Sequence, residues 1–452
     1  METLDRFFAD LSGMLWGPWL LVFLVGTGVM LTLRLRGIQF RMLGYALRLT
    51  FASERQGAGD VSHFGALMIA LAATVGVGNI AGVATAVALG GPGAVVWMWI
   101  TALFGMATKY AEAFLAVRFR EVNQAGQISG GPMYYLKTGL GSPALAFAFA
   151  LFGALAAFGI GNMVQANTTA AAVAQLSGLP HAAVGLVLAA LTWLVVIGGV
   201  KRIAQVVTWF VPIMVLLYFA GALGVLWTHW ERVPAGLALL FESALSGTAA
   251  SAGFAGATLA QTMRYGVARG LFSNESGLGS APIAAAAAKT NQPAKQALVS
   301  MTGTFIDTLV VCSFTGLVLA SSGVWTSGKT GAALTLQAFQ TGLPGNQGEI
   351  LITLAIVTFA FSTILGWGYY GEKCFEYLVG ERWVPFYRYA WVGFVFLGAV
   401  VKLEIVWNFS DAMNALMAVP NLIGLIGLSG LLARETKKFE AGLRDGTIAP
   451  YA

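Results

Sequence analysis

Residues 64–89 form an apolar run long enough to cross a bilayer, which takes roughly 20 residues, yet its middle resists being an uninterrupted helix. The segment Ala72-Ala-Thr-Val-Gly-Val-Gly-Asn-Ile-Ala-Gly82 carries Gly76, Gly78 and Asn79 close together. Glycine weakens a helix by about 1 kcal/mol relative to alanine, and two of them beside an asparagine invite a break. At membrane depth a break is tolerated only where the backbone lines a cavity or is buried in protein. Broken helices of this kind make midplane transport sites, in which half-helix N-termini face carboxylates and unwound carbonyls face small cations. A simple packing face of small residues is the competing explanation.

The rest of the chain fits a membrane setting. Hydrophobic residues make up 57% of the 452 and charged residues 10%, against roughly 25% charged in a soluble domain. Eleven spans are expected, at about 15–33, 64–89, 93–117, 144–175, 183–200, 203–228, 237–260, 297–320, 349–371, 388–407 and 411–433. Basic residues cluster after the odd-numbered spans: Arg34, Arg36, Arg41, Arg48 and Arg55, then Arg118, Arg120 and Lys137, and finally the tail with Arg434, Lys437, Lys438 and Arg444. By the positive-inside rule this places the N-terminus outside and the C-terminus in the cytoplasm. The net charge of +6 therefore speaks for membrane orientation and not for nucleic acid. The acidic Glu2, Asp5 and Asp10 precede the first span, where a cleavable signal would carry basic residues.

The expected organisation is an all-α polytopic membrane protein with one N-terminal helix and a five-plus-five inverted repeat. Residues 1–61 make the first helix and a basic surface linker, 62–228 the first repeat, 236–433 the second and 434–452 a basic tail. Five spans per half is odd, so the second half runs opposite to the first. The second half opens on Ser246-Gly-Thr-Ala-Ala-Ser-Ala-Gly-Phe-Ala-Gly256, a small, glycine-interrupted stretch that matches the break near Gly76. Two broken helices at corresponding positions are the expected centre.

Polar residues inside other spans add candidates. Ser362 and Thr363 are adjacent hydroxyls one turn after Phe359, suited to sodium or to bonding back onto their own helix. Asn162 and Gln165 share a helix face, either as interhelical glue or as ligands. Asp307 is an ionisable group within a span and a functional suspect by default. Lys109 and Glu112, three apart, read as a structural ion pair. Catalytic motifs are missing: no His-Glu-x-x-His, no Cys/His metal spacing and no phosphate-binding glycine loop. The chain is expected not to be an enzyme, to carry no cofactor and to draw on an ion gradient.

At Gly90-Gly-Pro-Gly-Ala-Val-Val-Trp-Met-Trp-Ile-Thr-Ala-Leu-Phe-Gly105 the sequence resembles the alanine/glycine:cation symporters, also called sodium:alanine symporters. Ile128-Ser-Gly-Gly-Pro-Met-Tyr-Tyr-Leu136 and Phe272-Ser-Asn-Glu-Ser-Gly-Leu-Gly-Ser-Ala-Pro282 are also typical of that family, and only Val96, usually phenylalanine, departs from the first pattern. The resemblance implies the leucine-transporter type of fold, and uptake of alanine or glycine with sodium. It implies a carboxylate site at the backbone of Gly76 and Gly78, with Thr74, Asn79, Gln165 and Trp367 nearby. It implies that carbonyls around Ser251, Gly253 and Phe254 receive the ammonium group. Sodium falls to the carbonyls of Ala72, Val75 and Phe359 and the hydroxyls of Ser362 and Thr363, while Asn79 matches a ligand of a second sodium site in some relatives.

The function these expectations define is import of a small neutral amino acid with sodium across the inner membrane, by alternating access. Its partners are the amino acid, sodium and the lipid bilayer, with no nucleic acid and no obligatory protein partner. A proton-driven symporter of the same fold, with Asp307 as carrier, is the first alternative. An intramembrane lipid-acting enzyme and a passive channel are the others; the missing catalytic cluster and the paired breaks argue against them.

Overall fold

The computed structural model describes residues 2–52, 57–246, 258–401 and 404–450. Helices account for nearly all of it. Long apolar sequences with few breakers give six helices able to span a bilayer: α5 (Ala94–Arg118), α6 (Pro143–Ser177), α8 (Gly199–Thr228), α12 (Pro293–Ser322), α14 (Gln347–Val379) and the Val406–Arg444 part of α16 (Glu404–Arg444). Two bent pairs make further crossings. The first joins α1 (Glu2–Leu15) to α2 (Pro18–Arg34) at 42°, and the second joins α3 (His63–Thr74) to α4 (Gly78–Gly90) at 52°. Shorter helices accompany these: α7 (His181–Val196), α15 (Val384–Val400) and the broken stretch of α10 (Leu259–Asn274) and α11 (Pro282–Ala286). Two elements lie beside these crossings, α9 (Val233–Ser246) and α13 (Gly331–Gly342).

One boundary differs from the expected one. The expected span over 237–260 is interrupted at Thr258, whose ψ of 154° is extended, and α10 starts at Leu259; residues 247–257 lie outside the described residues. A capping box starts α10: Gln261 N–H donates to the Thr258 hydroxyl, and Thr258 N–H donates to the Gln261 side chain. That arrangement satisfies two of the donors a helix start leaves orphaned.

Side-chain placement follows the solvent. On α8, Trp209, Ile213, Leu216, Leu223 and Trp227 are exposed at helical spacing, an apolar flank that needs lipid rather than water. The polar groups go inward: Asn79, Glu112, Asp307 and Lys373 are buried. Buried charge away from the centre is mostly paired. Arg388 grips Glu372 in a fork at 2.6 and 2.8 Å, and Lys373 meets Glu376 at 2.8 Å.

At the arginine-rich end the chain leading into α3 is stitched to the chain leaving α11. Asp60 N–H donates to the Ala287 carbonyl at 2.8 Å, and Lys289 N–H donates to the Val61 carbonyl at 2.7 Å. Arg120, which follows α5, closes the knot. Its guanidinium donates to the carbonyls of Ala58, Ala286, Ala288 and Thr290 at 2.6–2.8 Å. The strands β1 (Glu121–Val122) and β2 (Ile128–Ser129) follow as a short antiparallel hairpin. A hydrogen bond from a charged donor is worth about 1.5–3 kcal/mol. Arg120→Met, which keeps the stem and removes the fork, should lower the thermal midpoint of the purified protein by several degrees. Arg120→Lys, with three donors for four carbonyls, should recover only part of it. An unchanged midpoint in both would show the knot to be incidental.

Candidate functional site

The first break is held open by hydrogen bonds. At Val75 the backbone leaves helical geometry, with φ −75° and ψ 88°. Gly76 N–H, which would close on the Ala72 carbonyl in a continuous helix, donates instead to Asn79 Oδ1 at 2.9 Å. Asn79 N–H closes on the Gly76 carbonyl at 3.1 Å and so leaves the Val75 carbonyl outside the ladder. The Asn79 amide donates in turn to Asp307 Oδ1 at 2.8 Å. Thr315 and Thr335 then donate to the Asn79 and Ile80 carbonyls at 2.8 and 3.0 Å.

A second break follows α10. Glu275 takes a left-handed conformation at φ 56°, and Gly277 and Gly279 lie at φ 93° and 85°, so the chain turns sharply before Pro282 restarts a helix. Glycine adopts such angles without steric cost, and glutamate does so rarely. Glu112 of α5 secures the turn: its Oε1 accepts from Gly277 N–H, Gly279 N–H and Asn421 Nδ2 at 3.0, 3.1 and 2.7 Å. The expected Lys109–Glu112 ion pair is not made: backbone donors and Asn421 take Glu112 Oε1, and its Oε2 has no hydrogen-bond partner among the described residues. Lys109 is 3% exposed, and its ammonium has no hydrogen-bond partner among the described residues. Its charge acts on Glu112, Glu275 and Asp307 together.

Asp307 ties the two breaks to each other. Beside the Asn79 amide it accepts from the Ser273 hydroxyl at 2.9 Å and the Thr308 hydroxyl at 2.7 Å. The added bonds from Ser273 and Asn79 mean that one side chain of α12 positions both interruptions.

Between the breaks lies a cavity of about 30 Å³. Ala73, Thr74, Gly76, Val77 and Gly78 form one wall. Phe272, Ser273 and Glu275 form the opposite one, and Ile160, Gln165, Thr363, Trp367 and Asn414 complete it. Close packing sets its floor. A methyl group added at Gly366 would sit 2.7 Å from the Ala73 nitrogen, and one added at Gly161 would sit 2.2 Å from Trp367 Cβ. Glycine lets α14 approach both α3 and α6 this closely.

Most of the expected site residues meet here, and some do not. Thr74, Gly76, Gly78, Gln165 and Trp367 line the cavity. Asn79 and Asp307 lie behind it, fully engaged as scaffold. Thr363 lines the cavity beside Gly76, so that a methyl at Gly76 would come within 2.5 Å of its hydroxyl. Ser362 and Thr363 donate to the Phe359 carbonyl at 2.8 and 3.0 Å, and each hydroxyl oxygen keeps its lone pairs. The carbonyls of Ala72 and Val75 are freed from the helix ladder at the break. Ser251, Gly253 and Phe254 lie outside the described residues. Asn162 acts as glue, donating to the Trp391 carbonyl at 2.9 Å.

Phe272, Ser273, Glu275 and Asn414 join the site without having been singled out. The polar run Ser273-Asn-Glu-Ser-Gly-Leu-Gly279 is the available signal for Ser273 and Glu275, with Phe272 just before it. Asn414, a lone amide in a long helix, carries none.

A polytopic helical protein with a small polar cavity between two broken helices is a membrane transporter of the leucine-transporter type. The chain belongs to the sodium:alanine symporter family, whose profile matches residues 1–451. It is therefore a cation-coupled amino-acid transporter and not an enzyme. It is 52% identical to the sodium/alanine symporter AgcS of Methanococcus maripaludis, covering 95% of each chain. It is 35% identical to the amino-acid carrier protein AlsT of Bacillus subtilis, over 98% of this chain and 94% of that one. Among solved structures, MhsT in complex with L-phenylalanine shares the fold, with TM-score 0.59 and 15% identity, over 81% of this chain and 89% of that one.

The two glycines of the first break make opposite demands. A methyl at Gly78 meets only ordinary contacts, Phe272 Cδ1 at 3.8 Å and Ser273 Cα at 3.9 Å, all of them on the cavity. Gly78→Ala should therefore fold as well as the parent, while losing most of the thermal shift that a bound ligand gives through linkage. Gly76→Ala should lower the midpoint even without ligand, because its methyl drives into Thr363. Thermal-shift curves with and without alanine in sodium separate the two. A full ligand shift in Gly78→Ala would take this wall out of the site.

Proposed function

We propose that the protein imports small neutral amino acids, alanine and glycine foremost, coupled to sodium by alternating access across the inner membrane. The observation that carries this is the Thr363 hydroxyl set against Gly76 at the break, a break that leaves the Ala72 and Val75 carbonyls outside the helix ladder. Neutral oxygens at a helix break suit a weakly and reversibly held monovalent cation. The sodium set would be the carbonyls of Ala72, Val75 and Phe359 with the hydroxyls of Ser362 and Thr363. The substrate carboxylate would face the backbone N–H groups at the start of α4, where the helix dipole favours an anion. A cavity of about 30 Å³ favours a substrate with little side chain. AgcS, named for sodium and alanine, supports the same pairing. The charge pattern supports an external N-terminus and a cytoplasmic C-terminus.

Labelled alanine uptake into proteoliposomes tests this under separately imposed sodium and proton gradients. Uptake should follow sodium alone. In the Ser362→Ala/Thr363→Ala variant the sodium requirement should rise about tenfold, or 1.4 kcal/mol. A sodium dependence identical to the parent's would remove both hydroxyls from the ion site.

The proton-driven alternative has one observation in its favour: Asp307 is a buried carboxyl that touches both breaks. In a sodium symporter, Asp307→Asn should leave uptake indifferent to the proton gradient, as in the parent. A parent driven by protons, with an Asp307→Asn variant that only exchanges substrate, would give the coupling role to this residue.

A further inference from the structure

We propose that the ammonium end of the substrate is received by side chains, namely the Gln165, Asn414 and Glu275 oxygens, and that the site thereby selects primary amines. This rests on the amino-acid reading of the cavity and names the chemistry of its other end. The three residues line one cavity and come from three separate parts of the chain, α6, α16 and the second break. All are deeply buried, at 7, 1 and 4% exposure.

Each presents acceptor capacity that the protein leaves unused. Gln165 Nε2 donates to the Ile160 carbonyl at 2.9 Å, and this fixes the amide: a flipped group would set oxygen against oxygen. Its Oε1 has no partner among the described residues, and neither does Asn414 Oδ1. Glu275 accepts one bond on each oxygen, from the Trp367 indole at 2.9 Å and the Ser280 hydroxyl at 2.5 Å. A carboxylate can accept about four. Buried acceptors without donors are costly in a native structure, and each calls for an explanation.

A primary ammonium explains all three at once. It brings three N–H donors, one for each acceptor, and a positive charge to set against Glu275. At this end the carboxylate of a zwitterion would face the Glu275 carboxylate; the backbone N–H groups across the cavity suit it better. Methyl groups on nitrogen would remove donors one at a time and crowd a cavity of about 30 Å³.

Glycine, sarcosine and N,N-dimethylglycine form the test series, since they differ only in donors on nitrogen. Competition against labelled alanine on the purified protein in sodium should weaken with each methyl, by about tenfold from glycine to dimethylglycine. In Asn414→Leu and Gln165→Leu, glycine binding should fall by a similar factor of about ten while dimethylglycine changes little, so the preference collapses. Sodium affinity, read from the sodium dependence of the same competition, should stay put. Dimethylglycine competing as well as glycine in the parent would overturn the proposal. So would equal loss of both ligands in the variants, which is what a merely structural amide would give, or a fall in sodium affinity instead. A parent that binds alanine under no ion condition would defeat the amino-acid function itself, an outcome distinct from binding without selectivity.

Discussion

Four contacts of one residue hold the centre of this molecule. Asn79 supplies from its amide oxygen the acceptor that Gly76 N–H loses when the helix stops, and from its amide nitrogen a donor to Asp307. Its own N–H and carbonyl are taken by the Gly76 carbonyl and the Thr315 hydroxyl. Inside a membrane an unmet backbone group costs several kcal/mol, so a helix breaks only where substitutes stand ready. By absorbing the Gly76 donor, Asn79 leaves the Ala72 carbonyl free and turned from structure to chemistry. The interruption is thus a fixed geometry with selected groups left over, not a loose segment.

The same economy governs the second break. Glu112 takes two backbone N–H groups that Gly277 and Gly279 cannot place in a helix, and Asn421 closes the remaining carbonyl of Gly277 at 2.9 Å. Three buried carboxylates, Glu112, Glu275 and Asp307, then surround the breaks, with Lys109 as the resident positive charge that acts on them all. A fixed ammonium without hydrogen-bond partners is not a structural pair of the usual kind. Its value lies in long reach: one charge in a low dielectric offsets several partners without being tied to any.

The architecture was legible because it rests on long-range patterns. Apolar runs marked the spans, and glycines beside an asparagine marked the first break. Of the adjacent hydroxyls one turn past Phe359, Thr363 stands beside that break. The second break was harder. Glycine richness drew attention to 246–256, whereas the break among the described residues follows Asn274, in a helix whose polar composition hides it from hydropathy. There a glutamate, not a glycine, takes the first left-handed position, and local propensity gives no hint of that. Lys109 and Glu112 show the other limit: spacing along a helix says that two side chains can meet, not that they do, and Glu112 is held instead through one oxygen by Gly277, Gly279 and Asn421. Asn414 is silent for the same reason, since its role comes from where α16 passes and not from its neighbours in sequence.

The cavity between the breaks is anchored through its walls. Its walls belong to the two broken helices, and their ends are not independent. The lead into α3 and the exit from α11 share backbone hydrogen bonds, and Arg120 spans both with four carbonyls. Any displacement of α3 at that end must carry residues 286–290 with it or break the knot. The opposite half of the first break is held differently, by Thr315 and Thr335 on α12 and α13. The bend at Val75 therefore separates two bodies with separate attachments. The bend thus lies between a part tied to residues 286–290 and a part tied to the Asn79–Asp307 scaffold.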